Sequence, residues 1–144
     1  PEIGRVDASH TPIVIITSNR TREVHDAVKR RCLYHWVDYP DMERERQILD
    51  LKAPGIGERL ANQVVAFVQQ LRSLDLYKPP GISETIDWAN ALHMISQLEL
   101  NQEGVDSTLG VLLKYQDDIS RIRGSEVSQI LRDIKLGNEN TEKP

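Results

Sequence analysis

At 144 residues the chain is long enough for one full domain, or one domain and part of another, and too short for two complete ones. Its 22 acidic against 18 basic residues give a net charge of −4, which argues against a surface devoted to nucleic acid, and 5% aromatic residues are too few for a set of base-stacking platforms. A single cysteine, Cys32, excludes an intrachain disulfide, and with no signal peptide and no long apolar run the sequence predicts a cytoplasmic protein with no membrane partner.

Ile13 to Ile16 is a run of four β-branched residues between Pro12 and the polar Thr17, Ser18 and Asn19. That pattern predicts a strand buried on both faces, as in a parallel α/β sheet. Arg22 to Arg31 carries Val24, Ala27 and Val28 at helical spacing, and LYHWVDYP then returns to β-formers before Pro40. The first 40 residues therefore read strand, short helix, strand. They hold 6 Lys/Arg and 5 Asp/Glu against 12 and 17 in the rest, and the shift places a domain boundary near Asp41.

From Asp41 onward the pattern is helical. Asp41 is a predicted N-cap for MERERQILDLK, which must end near Pro54. A second helix shows Leu60, Val64, Phe67, Val68 and Leu71 on one face, at 3.6-residue spacing. KPPG breaks the chain, and a third helix, with Ser83 as N-cap, is expected to bury Ile86, Trp88, Ala89, Leu92 and Ile95. Asn101 or Ser107 opens a fourth, with Leu109, Leu112 and Leu113. A last amphipathic segment, Ser125 to Leu136, carries Val127, Ile130, Leu131 and Ile134, and residues 137–144 read as a disordered polar tail.

Few constellations could carry chemistry. The four histidines, His10, His25, His35 and His93, have no i, i+4 partner and no companion cysteines, so no metal site is expected. No serine sits in a nucleophile elbow, and Cys32 falls at a predicted strand start, where burial is the commoner fate. The TSN at residues 17–19 lies where α/β proteins hold ligands, at the C-terminal edge of a strand, and an asparagine there can donate to a phosphate oxygen and orient a water. The blander reading is a plain loop. KRRC closes the predicted short helix, where Lys29 and Arg30 would favour the helix C-terminus; of three consecutive basic residues at most two can serve one anion.

Taken in order, strand, TSN, short helix ending in arginine, strand, Asp-Pro-Asp-like turn and helical bundle resemble the C-terminal half of an AAA+ ATPase. KRRCLYHWVDYPDMERERQIL is similar to the MoxR branch of that family, and the resemblance runs from about Pro1 through Ile119, including KPPGISETIDWANAL and TLGVLLKYQDDI in the lid. It implies a mainly α fold: a helical-bundle lid (residues 41–136) preceded by a strand–helix–strand remnant of the α/β AAA+ core (1–40). It also implies a parent protein that binds ATP and Mg²⁺, hydrolyses ATP in a ring with neighbouring subunits and remodels a client protein. The phosphate-cradling loop and the Mg²⁺-binding acidic motif would lie upstream of Pro1, so this segment alone is expected to bind neither ligand and to be inactive. By the resemblance, Asn19 takes the sensor 1 position and Arg31 the arginine-finger position, with Arg30 as runner-up. A guanidinium suits that role because it is planar and permanently charged. The family commonly places Pro-Arg after Gly-x-Ser in the third lid helix, whereas here Glu84 and Thr85 stand there, so the sensor 2 arginine is missing from its expected place. The competing reading is a freestanding helical interaction module whose basic N-terminal segment docks an acidic partner or nucleic acid.

Overall fold

The computed structural model describes residues 4, 7, 9–18 and 24–141 and divides the chain into two compact units, Pro1–Val37 and Asp38–Pro144. No helix among the described residues is long and apolar enough to cross a membrane.

Among the described residues of the first unit the one regular element is α1 (Asp26–Lys29). The strand–helix–strand expected over residues 1–40 is not formed: no strand occurs among the described residues, and residues 13–17 and 33–37 are irregular. A strand exists only through a neighbour that takes up its N–H and C=O groups. Neither run finds one here, and Ile13 remains 93% exposed and Leu33 wholly so.

Among its described residues the second unit is a six-helix bundle of α2 (Met42–Lys52), α3 (Glu58–Ser73), α4 (Ile82–Met94), α5 (Gln102–Leu112), α6 (Gln116–Ile122) and α7 (Ser125–Thr141). The Asp41 carboxylate accepts from the Arg44 N–H at 2.8 Å and starts α2, which closes at Ala53 ahead of Pro54. α3 is the central helix. Its stripe Leu60, Val64, Phe67, Val68 and Leu71 is fully buried, and the helix packs against α2, α4 and α7. The Phe67 and Trp88 rings meet at 5.2 Å between centroids, and the Trp88 indole N–H donates to Thr108 Oγ1 at 2.8 Å, so the largest core side chain leaves no polar atom unsatisfied. α5 opens at Asn101, whose side chain accepts from the Gly104 N–H at 2.8 Å. Val127, Ile130, Leu131 and Ile134 of α7 complete the core.

Four details differ from the sequence reading. Gly81, not Ser83, is the N-cap of α4; Glu84 reaches back to the Gly81 N–H at 3.1 Å, which is the half of a capping box that needs no side chain at the cap. Ile95 is 51% exposed because α4 stops at Met94 and Ile95 is its C-cap. α6 is an additional short helix. α7 runs on to Thr141, into the segment expected to be disordered, since extending an existing helix adds one hydrogen bond per residue fixed without a new nucleus.

The end of α4 carries the bundle's one positive-φ non-glycine residue among those described, Ser96 at φ 58°. Its N–H donates to the His93 carbonyl at 2.9 Å and the Gln97 N–H to the Leu92 carbonyl at 3.0 Å, which is the Schellman pattern with serine at the position that favours glycine. Ser96→Gly relieves the left-handed penalty of about 1–2 kcal/mol and gives back part of it as unfolded-state entropy. The expected net gain, on the order of 0.5–1 kcal/mol, is measurable as a raised urea midpoint with unchanged slope; a lowered midpoint would contradict this account of the helix end.

Candidate functional site

The basic segment is built on a helix of a single turn. His25 caps α1 through Nδ1, which accepts from the Ala27 N–H at 3.2 Å. Arg30 is the C-cap, its N–H bonding to the Asp26 carbonyl at 3.0 Å, and Arg31 follows with its N–H on the Val28 carbonyl at 3.0 Å. The helix expected from Arg22 to Arg31 is thus reduced to Asp26–Lys29 within the described residues, and Arg31 sits in the turn beyond it. Lys29 makes an exposed pair with Asp26 at 3.8 Å, a contact worth little in water. Arg30 and Arg31 are exposed, and no ion pair with either occurs among the described residues. Cys32 is exposed too, contrary to the expected burial, because the strand that would have enclosed it is absent.

A cleft of about 430 Å³ in the same unit is lined by apolar side chains, among them Ile16, Val28 and Trp36, together with Thr17, Ser18 and Lys29. The structure therefore brings the first two residues of TSN to the same cavity as the first and last residues of KRRC, Lys29 and Cys32. Arg30 and Arg31 do not line it, and Asn19 lies outside the described residues.

In the helical unit, Glu84 and Thr85 are both engaged internally. Glu84 holds the start of α4, and Thr85 is fully buried with its hydroxyl on Glu45 Oε1 at 2.8 Å. Glu45 is itself buried in α2 and receives a two-point contact from Arg72 of α3, Nη1 to Oε2 at 2.7 Å and Nη2 to Oε1 at 2.8 Å. Gln69 adds a bond to Oε2 at 2.8 Å, so the carboxylate accepts four hydrogen bonds, its full capacity. Arg72 Nε donates to the Pro80 carbonyl at 2.8 Å, and the Tyr39 ring lies 4.5 Å from the guanidinium carbon. Sequence reading missed this pair. Glu45 shares a face with Leu49, four residues on, which marks it as inward-facing, but nothing in the sequence links it to a partner 27 residues away.

Among the described residues no group of three or more His, Cys, Asp or Glu is arranged to hold a metal ion. Comparison with protein-family models, with curated proteins and with solved structures gave no match.

Removing one member of a buried ion pair strands the other charge, a loss on the order of 3–5 kcal/mol, whereas replacing both with apolar residues is often near neutral. Arg72→Met is therefore expected to unfold most of the bundle's margin, and adding Glu45→Met to recover most of the loss, with Gln69 keeping its bond to the Pro40 carbonyl and Thr85 turning to that of Gly81. Urea denaturation of the two single variants and the double variant measures the coupling; additive losses would show that the pair is not a unit.

Proposed function

We propose that this chain supplies the sensor 1 residue, the arginine finger and the helical lid of a MoxR-type AAA+ ATPase that hydrolyses ATP in a ring and remodels a client protein. The observation that supports the reading best is that Arg30 and Arg31 stand exposed at the end of a short helix, with no ion pair to either among the described residues, in a unit followed in sequence by a separate helical bundle. A cation not paired with a described carboxylate suits an anion supplied by another subunit. Arg72, whose Nη2 lies 3.3 Å from Thr85 Oγ1 at the lid position where sensor 2 is expected, has its charge matched by Glu45 and does not fit a phosphate contact.

On this reading, Arg31 acts on the phosphoryl group held by the adjacent protomer. The transition state of phosphoryl transfer spreads negative charge over its equatorial oxygens, and a guanidinium placed there stabilises that charge more than it stabilises the ground state. Asn19 would orient the attacking water from the same subunit as the nucleotide. Lid closure excludes bulk water and brings the two faces of the site together.

In the intact ATPase, Arg31→Ala is expected to leave nucleotide affinity nearly unchanged and to lower turnover by about 10³ to 10⁵. Mixing these subunits with subunits inactivated at the phosphate loop rebuilds some sites from one good face of each, so partial recovery of hydrolysis marks action in trans. No recovery at any ratio in confirmed rings would remove Arg31 from that role. If Arg30→Ala alone shows the kinetic defect, the finger is Arg30.

A further inference from the structure

Tyr77 is 79% exposed and Tyr115 43%, yet their rings are held together with centroids 4.5 Å apart. Asp118, itself only 5% exposed, fixes one side by accepting the Tyr77 N–H at 3.0 Å and the Lys78 N–H at 3.2 Å. Arg121, one turn further along α6, donates to the Asp75 carbonyl and anchors the same loop. Neither phenol is hydrogen-bonded among the described residues. Two large amphipathic rings in mutual contact, one of them on a loop whose backbone Asp118 holds, thus line a surface cleft of about 530 Å³. Exposed tyrosine rings already in contact with each other, on a loop with a fixed backbone, lose less entropy when covered than free side chains, which is the character of an interface anchor.

Charge selects the occupant. The lining holds three carboxylates, Asp75, Asp117 and Asp118, against the single guanidinium of Arg121. Ring faces attract cations, and Asp75 and Asp117 are exposed and available to pair with one. Nucleic acid would be repelled by the same set. We propose that this cleft is a docking site for an arginine- or lysine-bearing segment of a partner protein, the cationic side chain lying over the Tyr77–Tyr115 pair with its charge toward Asp75 and Asp117. The site lies wholly within the helical unit and does not depend on the ATPase reading.

Titration of the ¹⁵N-labelled chain with acetyl-Arg-Arg-Arg-amide, followed by NMR, tests it. Shifts are expected to be confined to residues 75–78 and 115–121, with acetyl-Lys-Lys-Lys-amide binding more weakly and acetyl-Gly-Ser-Gly-amide not at all. Tyr77→Ala, an exposed change that leaves the remaining spectrum in place, is expected to weaken binding about fivefold or more, as is Asp75→Asn combined with Asp117→Asn. Shifts scattered over all acidic surfaces, affinity unchanged by Tyr77→Ala, or an equal response to the neutral peptide would overturn the proposal. Concentration-dependent shifts at the same residues without peptide would also overturn it, because the patch would then be covered by a second copy of the chain.

Discussion

The helical unit depends on one buried contact, the two-point ion pair between Glu45 and Arg72. Desolvating a carboxylate and a guanidinium costs several kcal/mol each, and only near-complete pairing offsets it. Here the pairing is complete: Glu45 accepts from Arg72, Gln69 and Thr85, and Arg72 also satisfies the Pro80 carbonyl. Those partners come from α2, α3, α4 and the loop between the last two, so one charge pair sets the mutual placement of three helices. Leucines alone would bury as much area without specifying it, because apolar contact is not directional. The same pair anchors the segment ahead of α2, through Tyr39 over the guanidinium and Gln69 on the Pro40 carbonyl.

A second, looser set of polar contacts orders the other half of the bundle. Gln102 at the start of α5 donates to the Gly124 carbonyl at 2.9 Å and to Asp106 Oδ2 at 2.9 Å, while Asp106 Oδ1 accepts the Gly124 N–H at 3.2 Å. Gly124 has φ 84°, which glycine adopts without cost, and this turn lets α7 fold back on α5. These groups are only part-buried, so water can replace any one of them. Fixity near Glu45 and tolerance near Gly124 follow from burial, not from the number of bonds.

What was legible in the sequence tracks the length of the periodic signal. α3 carries an apolar stripe over about three turns (Leu60–Leu71) and α7 over about two (Val127–Ile134), α2 announces itself through the cap Asp41, and of the two offered starts of α5, Asn101 and Ser107, Asn101 is the cap. α6 spans seven residues and shows only Ile119 and Ile122 inward, too few to define a period. The strands were misread for a different reason: β-branched composition reports what a segment tolerates, whereas strand formation needs a partner edge that composition does not reveal. The Ser83 and Ile95 differences are boundary effects set by Gly81 and by the Schellman turn at Ser96. Of the KRRC segment, the solvent exposure of Lys29 and Arg30 was legible and that of Cys32 was not, because its expected burial depended on a strand that does not form. The Glu45–Arg72 pair was invisible, since both residue types are normally found on solvated helix faces.

The arginines of this chain show how context divides one side chain between two tasks. Arg72 is 7% exposed, meets a carboxylate, a carbonyl and an aromatic face, and has no electrostatic capacity left for a ligand. Arg30 and Arg31 are exposed, have ordinary backbone bonds, and have no carboxylate among the described residues to neutralise them. An arginine substituted at Glu84 would give up the hold on the Gly81 N–H, and one at Thr85 would remove a bond to Glu45 and bring a second cation beside Arg72. The bundle's own stability thus opposes a phosphate-binding arginine at the start of α4. On the proposed reading, the arginine contact to the transferring phosphoryl group comes from the 30–31 segment rather than from the start of α4, and the buried pair gives the lid its internal rigidity.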